Sequence, residues 1–147
     1  MPLIENTVLI AAPPAAVWAV LADTAAYADW NPRLRRIDGA VARGAVVTLH
    51  YAKEKPWLPA TFEVDVDACE PAAELRWSGP RNVSRLLLRA SHWFRLSPRD
   101  AGTELVHGER FDGALAPVVW PLIRATVGAN HAAVNAALRA RCETPSR

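Results

Sequence analysis

Apolar and polar residues alternate from Leu3 to Ile10, the period-two pattern of a strand with one face turned inward. Pro13 and Pro14 lead into Val17, Trp18, Val20 and Leu21. This predicts a short buried helix over residues 15–22, since proline is welcome in a first helical turn. Asp23 or Thr24 can cap a second short helix through Ala28. Asn31 stands before Pro32 and ends it, because a residue ahead of proline is pushed out of the α region.

From Arg33 to Phe111 the period is again two, punctuated by Gly39, Gly44, Pro71, Gly79-Pro80 and residues 97–102. Six strands are expected, at 35–41, 46–51, 60–69, 74–78, 86–96 and 103–111. The third is the clearest: Phe62, Val64, Val66 and Ala68 alternate with Thr61, Glu63, Asp65 and Asp67. One dry and one wet face is the mark of an antiparallel sheet covered on one side. Short turns make a meander the simplest topology.

After Gly113 the period changes. Leu115, Val119, Leu122, Thr126, Asn130, Ala133 and Ala137 follow helical spacing, with Ile123, Val127, Val134 and Leu138 beside them. A helix from Ala114 to about Cys142 would be roughly 40 Å long at 1.5 Å per residue. Pro117 is tolerable in its first turn, whereas Pro121 should kink it or delay its regular start. Such a helix should lie across the dry face of the sheet, giving an α+β fold.

Composition narrows the classes. The 147 residues suit one domain over 1–143, followed by a polar tail, 144–147, that should fray. With 51% hydrophobic and 22% charged residues the chain is ordinary globular protein. A net charge of +2 is too balanced for nucleic-acid binding. No apolar run is long enough for a membrane span, and no basic segment precedes the first apolar stretch as a signal peptide would require. Cys69 and Cys142 lie far apart without metal-ligand spacing, which points to a reducing, cytoplasmic setting. Phosphate loops, HExxH, GxSxG and paired CxxC motifs are absent, so no cofactor and no serine or cysteine nucleophile is expected.

Several stretches are familiar together. Val17-Trp18 through Tyr27, followed by Trp30-Asn31-Pro32, resembles the N-terminal signature of the START-like (SRPBCC) superfamily and its polyketide cyclase/dehydrase branch. His92-Trp93-Phe94-Arg95-Leu96, Gly102-Thr103 and His107-Gly108-Glu109-Arg110-Phe111-Asp112-Gly113 are similar to the last hairpin of a bacterial subgroup, and Asn135-Ala136-Ala137-Leu138 to the end of its last helix. The resemblance implies the helix-grip fold: a seven-stranded antiparallel sheet wrapped around a long C-terminal helix, with two short helices between strands 1 and 2. It also implies a cavity that in other members holds lipids, sterols, quinones, polyketides or hormones. Some members are enzymes and others are regulators, so fold leaves function open.

The last hairpin carries the candidate chemistry. With residues 97–102 as its turn, Leu96 would face Thr103, Phe94 would face Leu105 and His92 would face His107. Period two puts His92, His107 and Glu109 on one side, aimed at the cavity. Buried unpaired, such groups cost several kcal/mol, so they should bond one another, water or a ligand. Three roles are open: a satisfied polar patch that orients a ligand, a general acid–base set, or a facial metal site. No fourth ligand or supporting shell is legible, so no metal is expected.

Trp30, Phe62, Trp77 and Phe94 either pack the core or line the pocket for a flat or greasy molecule. Thr126 and Asn130 interrupt the helix stripe that begins at Val119, either bonded within the helix or touching a ligand's polar head. His131 falls one position off that stripe and should be exposed. Alternation sends Trp93 to the outer sheet face, where an exposed indole would mark a homodimer contact. Trp57, in the loop between two strands, would gate an entrance or pack over the sheet edge. Three functions follow: a binding protein for a small hydrophobic molecule, a cyclase or dehydratase using His92, His107 and Glu109, or a regulator working through Trp93.

Overall fold

The computed structural model describes residues 2–144, so the tail beyond Thr144 lies outside the described residues. Strand β1 (Leu3–Ile10) leads to helix α1 (Pro14–Ala22), a 3-10 turn (Thr24–Ala26) and helix α2 (Tyr27–Trp30). Strands β2 (Leu34–Asp38), β3 (Val46–Tyr51), β4 (Thr61–Glu70), β5 (Glu74–Gly79), β6 (Arg89–Arg99) and β7 (Gly102–Asp112) follow, and helix α3 (Ala116–Glu143) closes the chain. The seven strands form one antiparallel sheet in the order β1-β7-β6-β5-β4-β3-β2. This is the helix-grip architecture, with the meander that the turn spacing implies.

Local chemistry explains where the elements stop. Pro14 occupies the first turn of α1. Asn31 ends α2 in extended backbone (ψ 116°), and its Oδ1 accepts the N–H groups of Arg33 and Leu34 at 2.9 Å each. That side-chain turn starts β2. Gly39, at φ +104°, ends β2 three residues before the expected end. Helix α3 is continuous from Ala116 through Pro121, so Pro121 does not delay its start.

Two expectations about side-chain placement fail, each for a simple reason. The last hairpin turns on Asp100 and Ala101 alone, with Asp100 at φ +52° and Arg99 opposite Gly102. Strand β6 is therefore displaced by three residues, to 89–99 from the expected 86–96, β7 gains one residue at each end, and the register moves by two: Leu96 faces Leu105, Phe94 faces His107 and His92 faces Glu109. Trp93 does lie on the outer face, but it is only 6% exposed. Its ring covers Gly108, the residue opposite, where a Cβ would stand 2.4 Å from the indole, and the Arg95 guanidinium caps it at 4.9 Å. The glycine makes a seat for the tryptophan, which is not free to form a dimer contact.

The core sits between the sheet and the helices. On β4, Val64, Val66 and Ala68 are buried and Phe62 is half-buried, as the alternation requires. Val134 and Leu138 of α3 join this core with Leu75, Leu96 and Leu105. Among the described residues, no helix is long and apolar enough to cross a membrane.

Candidate functional site

Between the sheet and α3 lies a cavity of about 420 Å³. Phe62, Val64, Trp77 and Phe94 form sheet wall, and Ile123, Val127 and Val134 form helix wall. The C-terminal part of α3 is pinned to the sheet through His131, Asn135 and Leu138, while the part from Ile123 to Asn130 stands across the cavity from β3 and β4. The exposed wall residues Glu54, Leu58, Pro59 and Thr126 mark the mouth.

At the polar end, three histidines and a carboxylate meet. His107, 1% exposed, bonds Asn135 Oδ1 through Nδ1 at 2.7 Å and His92 Nε2 through Nε2 at 2.7 Å. Because Asn135 Oδ1 only accepts, His107 Nδ1 carries the proton. In the neutral ring Nε2 then accepts, so His92 donates from its Nε2. His131 Nε2 donates to Glu109 Oε2 at 3.0 Å, and its ring stacks on His107 at 3.9 Å and 8°. Trp77 stacks on His92 at 4.6 Å, and Phe94 stacks on His107 at 4.3 Å. His92 Nδ1 and His131 Nδ1 are buried without a partner.

Burial sets the charge of this cluster. It pushes His92 well below the ordinary histidine range, helped by the neighbouring His107 and His131 rings. His107 is lowered to about 3 by burial and then by His131, against the raising effect of its bond to Asn135. Both imidazoles are therefore neutral near pH 7. Nitrogen atoms of His92, His107 and His131 lie within 4.8 Å of one another, close enough to suggest a metal site. The lone pairs say otherwise. His92 and His107 point their Nε2 atoms at each other, and His107 and His131 are parallel plates. A shared ion would have to break that bond and turn the stacked rings.

The structure gathers most of the residues expected at the site: Phe62, Trp77, His92, Phe94, His107, Glu109, Thr126 and Asn130 all line the cavity. Two do not. Trp30 lies against the core with its ring edge-on to Tyr27 at 5.2 Å, and Val119 lies outside the wall. His131, expected in solvent, is 4% exposed. The apolar stripe of α3 is Ile123, Val127, Val134 and Leu138, and His131 fills its one gap at helical spacing. That signal is in the sequence, one residue out of phase with the stripe through Thr126 and Asn130. Asn135 follows His131 by one turn. Arg33 and Glu54, paired at 2.8 Å beside the mouth, had no such signal.

The chain matches a family described as polyketide cyclase / dehydrase and lipid transport over residues 1–143. No curated protein matches it. Similar solved structures include a Chromobacterium violaceum protein (18% identity, TM-score 0.76, 99% of this chain and 100% of that one). A START superfamily protein from Mycobacterium smegmatis is 19% identical, with TM-score 0.73 over 96% of this chain and 97% of its own. The Zhui aromatase/cyclase from a Streptomyces species is 25% identical, with TM-score 0.74 over 96% and 93% of the two chains. Fold, element order and whole-length match agree: the chain belongs to the polyketide cyclase / dehydrase and lipid transport family.

Proposed function

We propose that this chain is a binding protein for one small hydrophobic molecule, of lipid, polyketide or aromatic type, whose polar end carries a hydroxyl group. The observation that carries this reading is an apolar cavity closed at one end by a polar cluster. Its volume falls within the range of about 300–1,000 Å³ usual for small-molecule sites. The cluster's spare capacity is for accepting hydrogen bonds. The accessible part of it is Glu109, a fifth of whose side chain is exposed and which has an oxygen beyond the one His131 uses. An O–H donor suits that acceptor better than a bare carbonyl.

The alternative is a cyclase or dehydratase, which the likeness to an aromatase/cyclase keeps in view. Magnitude counts against His107 as its base. A group lowered to about 3 is far from the near-neutral value at which general-base catalysis is efficient. A regulator acting through Trp93 is disfavoured by the burial of that ring. Native mass spectrometry of protein purified from its own host tests the binding reading. A single small molecule at 1:1, released by organic extraction, is expected. Uniformly empty protein that also fails to bind 2-naphthol overturns it, and turnover of an extracted ligand would move the assignment to the enzyme.

A further inference from the structure

Leu86, Leu87, Leu115, Val118 and Leu122 are all exposed, with Leu86 at 79% and Leu122 at 80%. They form one surface. The N–H groups of Ala114 and Leu115 donate to the carbonyls of Leu86 and Leu87 at 2.9 Å, which seats the β5–β6 loop against the start of α3. Leu115, Val118 and Leu122 share one face of α3, turned away from the cavity-lining Ile123 and Val127. Thr126, one turn beyond Leu122, is already part of the mouth.

A second lip borders the same mouth. The β3–β4 loop presents Trp57, 74% exposed, and Leu58, and it holds both lysines of the chain, Lys53 and Lys55. Lys55 Nζ lies 5.4 Å from the Trp57 ring centroid. The one acid of this loop, Glu54, is taken up by Arg33 at 2.8 Å and accepts from Asn130 Nδ2 at 3.4 Å.

Charge identifies the partner. Residues 80–99 and 113–142, which build the first lip, contain no Asp or Glu. Arg85 and Arg124 are exposed and, among the described residues, make no ion pair. Exposed leucines, an outward tryptophan and unpaired cations are what an anionic bilayer surface receives. A second copy of the chain would bring arginine against a surface with no acid to meet it. We infer that the two lips dock on an anionic membrane surface, so that a hydrophobic occupant enters the cavity without crossing water. Docking does not depend on what the cavity holds, and its failure would leave the binding reading standing.

The test is flotation with vesicles of phosphatidylcholine alone and with phosphatidylglycerol as the minority lipid. The parent should float with the anionic vesicles and stay behind with the neutral ones. Leu86→Glu and Leu122→Glu should each weaken flotation about tenfold, because both side chains stand in water and neither supports the fold. Arg85→Gln should weaken it about fivefold, the worth of one cation at an anionic surface. Leu9→Glu, exposed on β1, should change nothing. Equal flotation with both vesicle types, or none with either, overturns the inference. So does a dimer in sedimentation velocity that Leu122→Glu dissociates, for the patch would then belong to a second copy.

Discussion

The two faces of the β6–β7 hairpin bury aromatic rings by opposite means. On the outer face Trp93 lies flat over Gly108 under the Arg95 guanidinium, and the glycine's missing Cβ is what makes room. On the inner face, one residue away along each strand, His92, Phe94 and His107 stack among Trp77 and His131 beside an open cavity. The outer ring fills its space completely. The inner rings leave about 420 Å³ unfilled, whereas buried nitrogens without a partner occur on both faces, at His92 and His131 inside and at Trp93 Nε1 outside. A surface evolved only for stability would be packed like the first. Unfilled apolar volume is a cost to stability, which the proposed ligand would offset.

This contrast can be broken most severely at Trp93. Trp93→Ala empties a filled seat and should cost about 3–4 kcal/mol of unfolding free energy in urea titration, the range of large core truncations. Affinity for a cavity ligand should stay within about twofold, since the ring faces away from the cavity. A loss of affinity matching the loss of stability would mean that the two faces are not separate.

Next in size is the effect of acid on the inner face. His107 is held to about 3 in the folded protein, against about 6.5 when unfolded, and His92 is lowered in the same direction. Below pH 6.5 the unfolded chain takes up protons that the folded one refuses. This contribution is complete above the unfolded value and drains away as pH falls toward 3. The slope is about 1.4 kcal/mol per pH unit for one such histidine, so His107 alone should remove about 2 kcal/mol between pH 7 and pH 5. Urea unfolding at these pH values should give a shallower slope for His107→Phe than for the parent. Equal slopes would mean that the imidazole is not held neutral by burial.

The smallest effect is expected at His131. His131→Phe keeps a flat ring on His107 and removes a buried nitrogen that has no partner. Glu109 loses its bond but keeps access to water at the cavity, with a fifth of its side chain exposed. Stability should change by no more than about 1 kcal/mol in thermal and urea melts. A penalty as large as that for Trp93→Ala would show that the inner cluster is ordinary core.

Most of this architecture was legible from periodicity. The strands at Leu3–Ile10 and Val46–Tyr51 stand where alternation puts them, and α3 begins two residues after the expected position. Burial on β4 follows Val64, Val66 and Ala68 as read. What periodicity alone does not carry is phase against a partner. Pro98 reads as a turn residue, yet it sits in β6 beyond Arg95, the last residue of that strand paired with β5. Its missing N–H therefore takes nothing from that side of the sheet, and the turn can tighten to Asp100 and Ala101. Trp93 was placed on the correct face, but its burial depends on Gly108, a residue whose effect is the space it leaves. His131 is a question of helix phase, and a shift of one residue exchanges solvent for core. The pairing of Arg33 with Glu54 arises where a loop crosses the mouth, and no spacing rule reaches it.

The proposed hydroxyl-bearing apolar molecule would sit against the inner face of the hairpin and leave the outer face untouched. Imidazole and indole ¹⁵N NMR during titration with 2-naphthol tests this placement directly. Saturable 1:1 binding is expected, with shifts concentrated at the His92, His107 and His131 nitrogens and at the Trp77 indole, while the Trp93 indole stays unmoved. Binding that never saturates, or shifts confined to exposed Trp57 and the outer face with the three imidazoles unchanged, would contradict it.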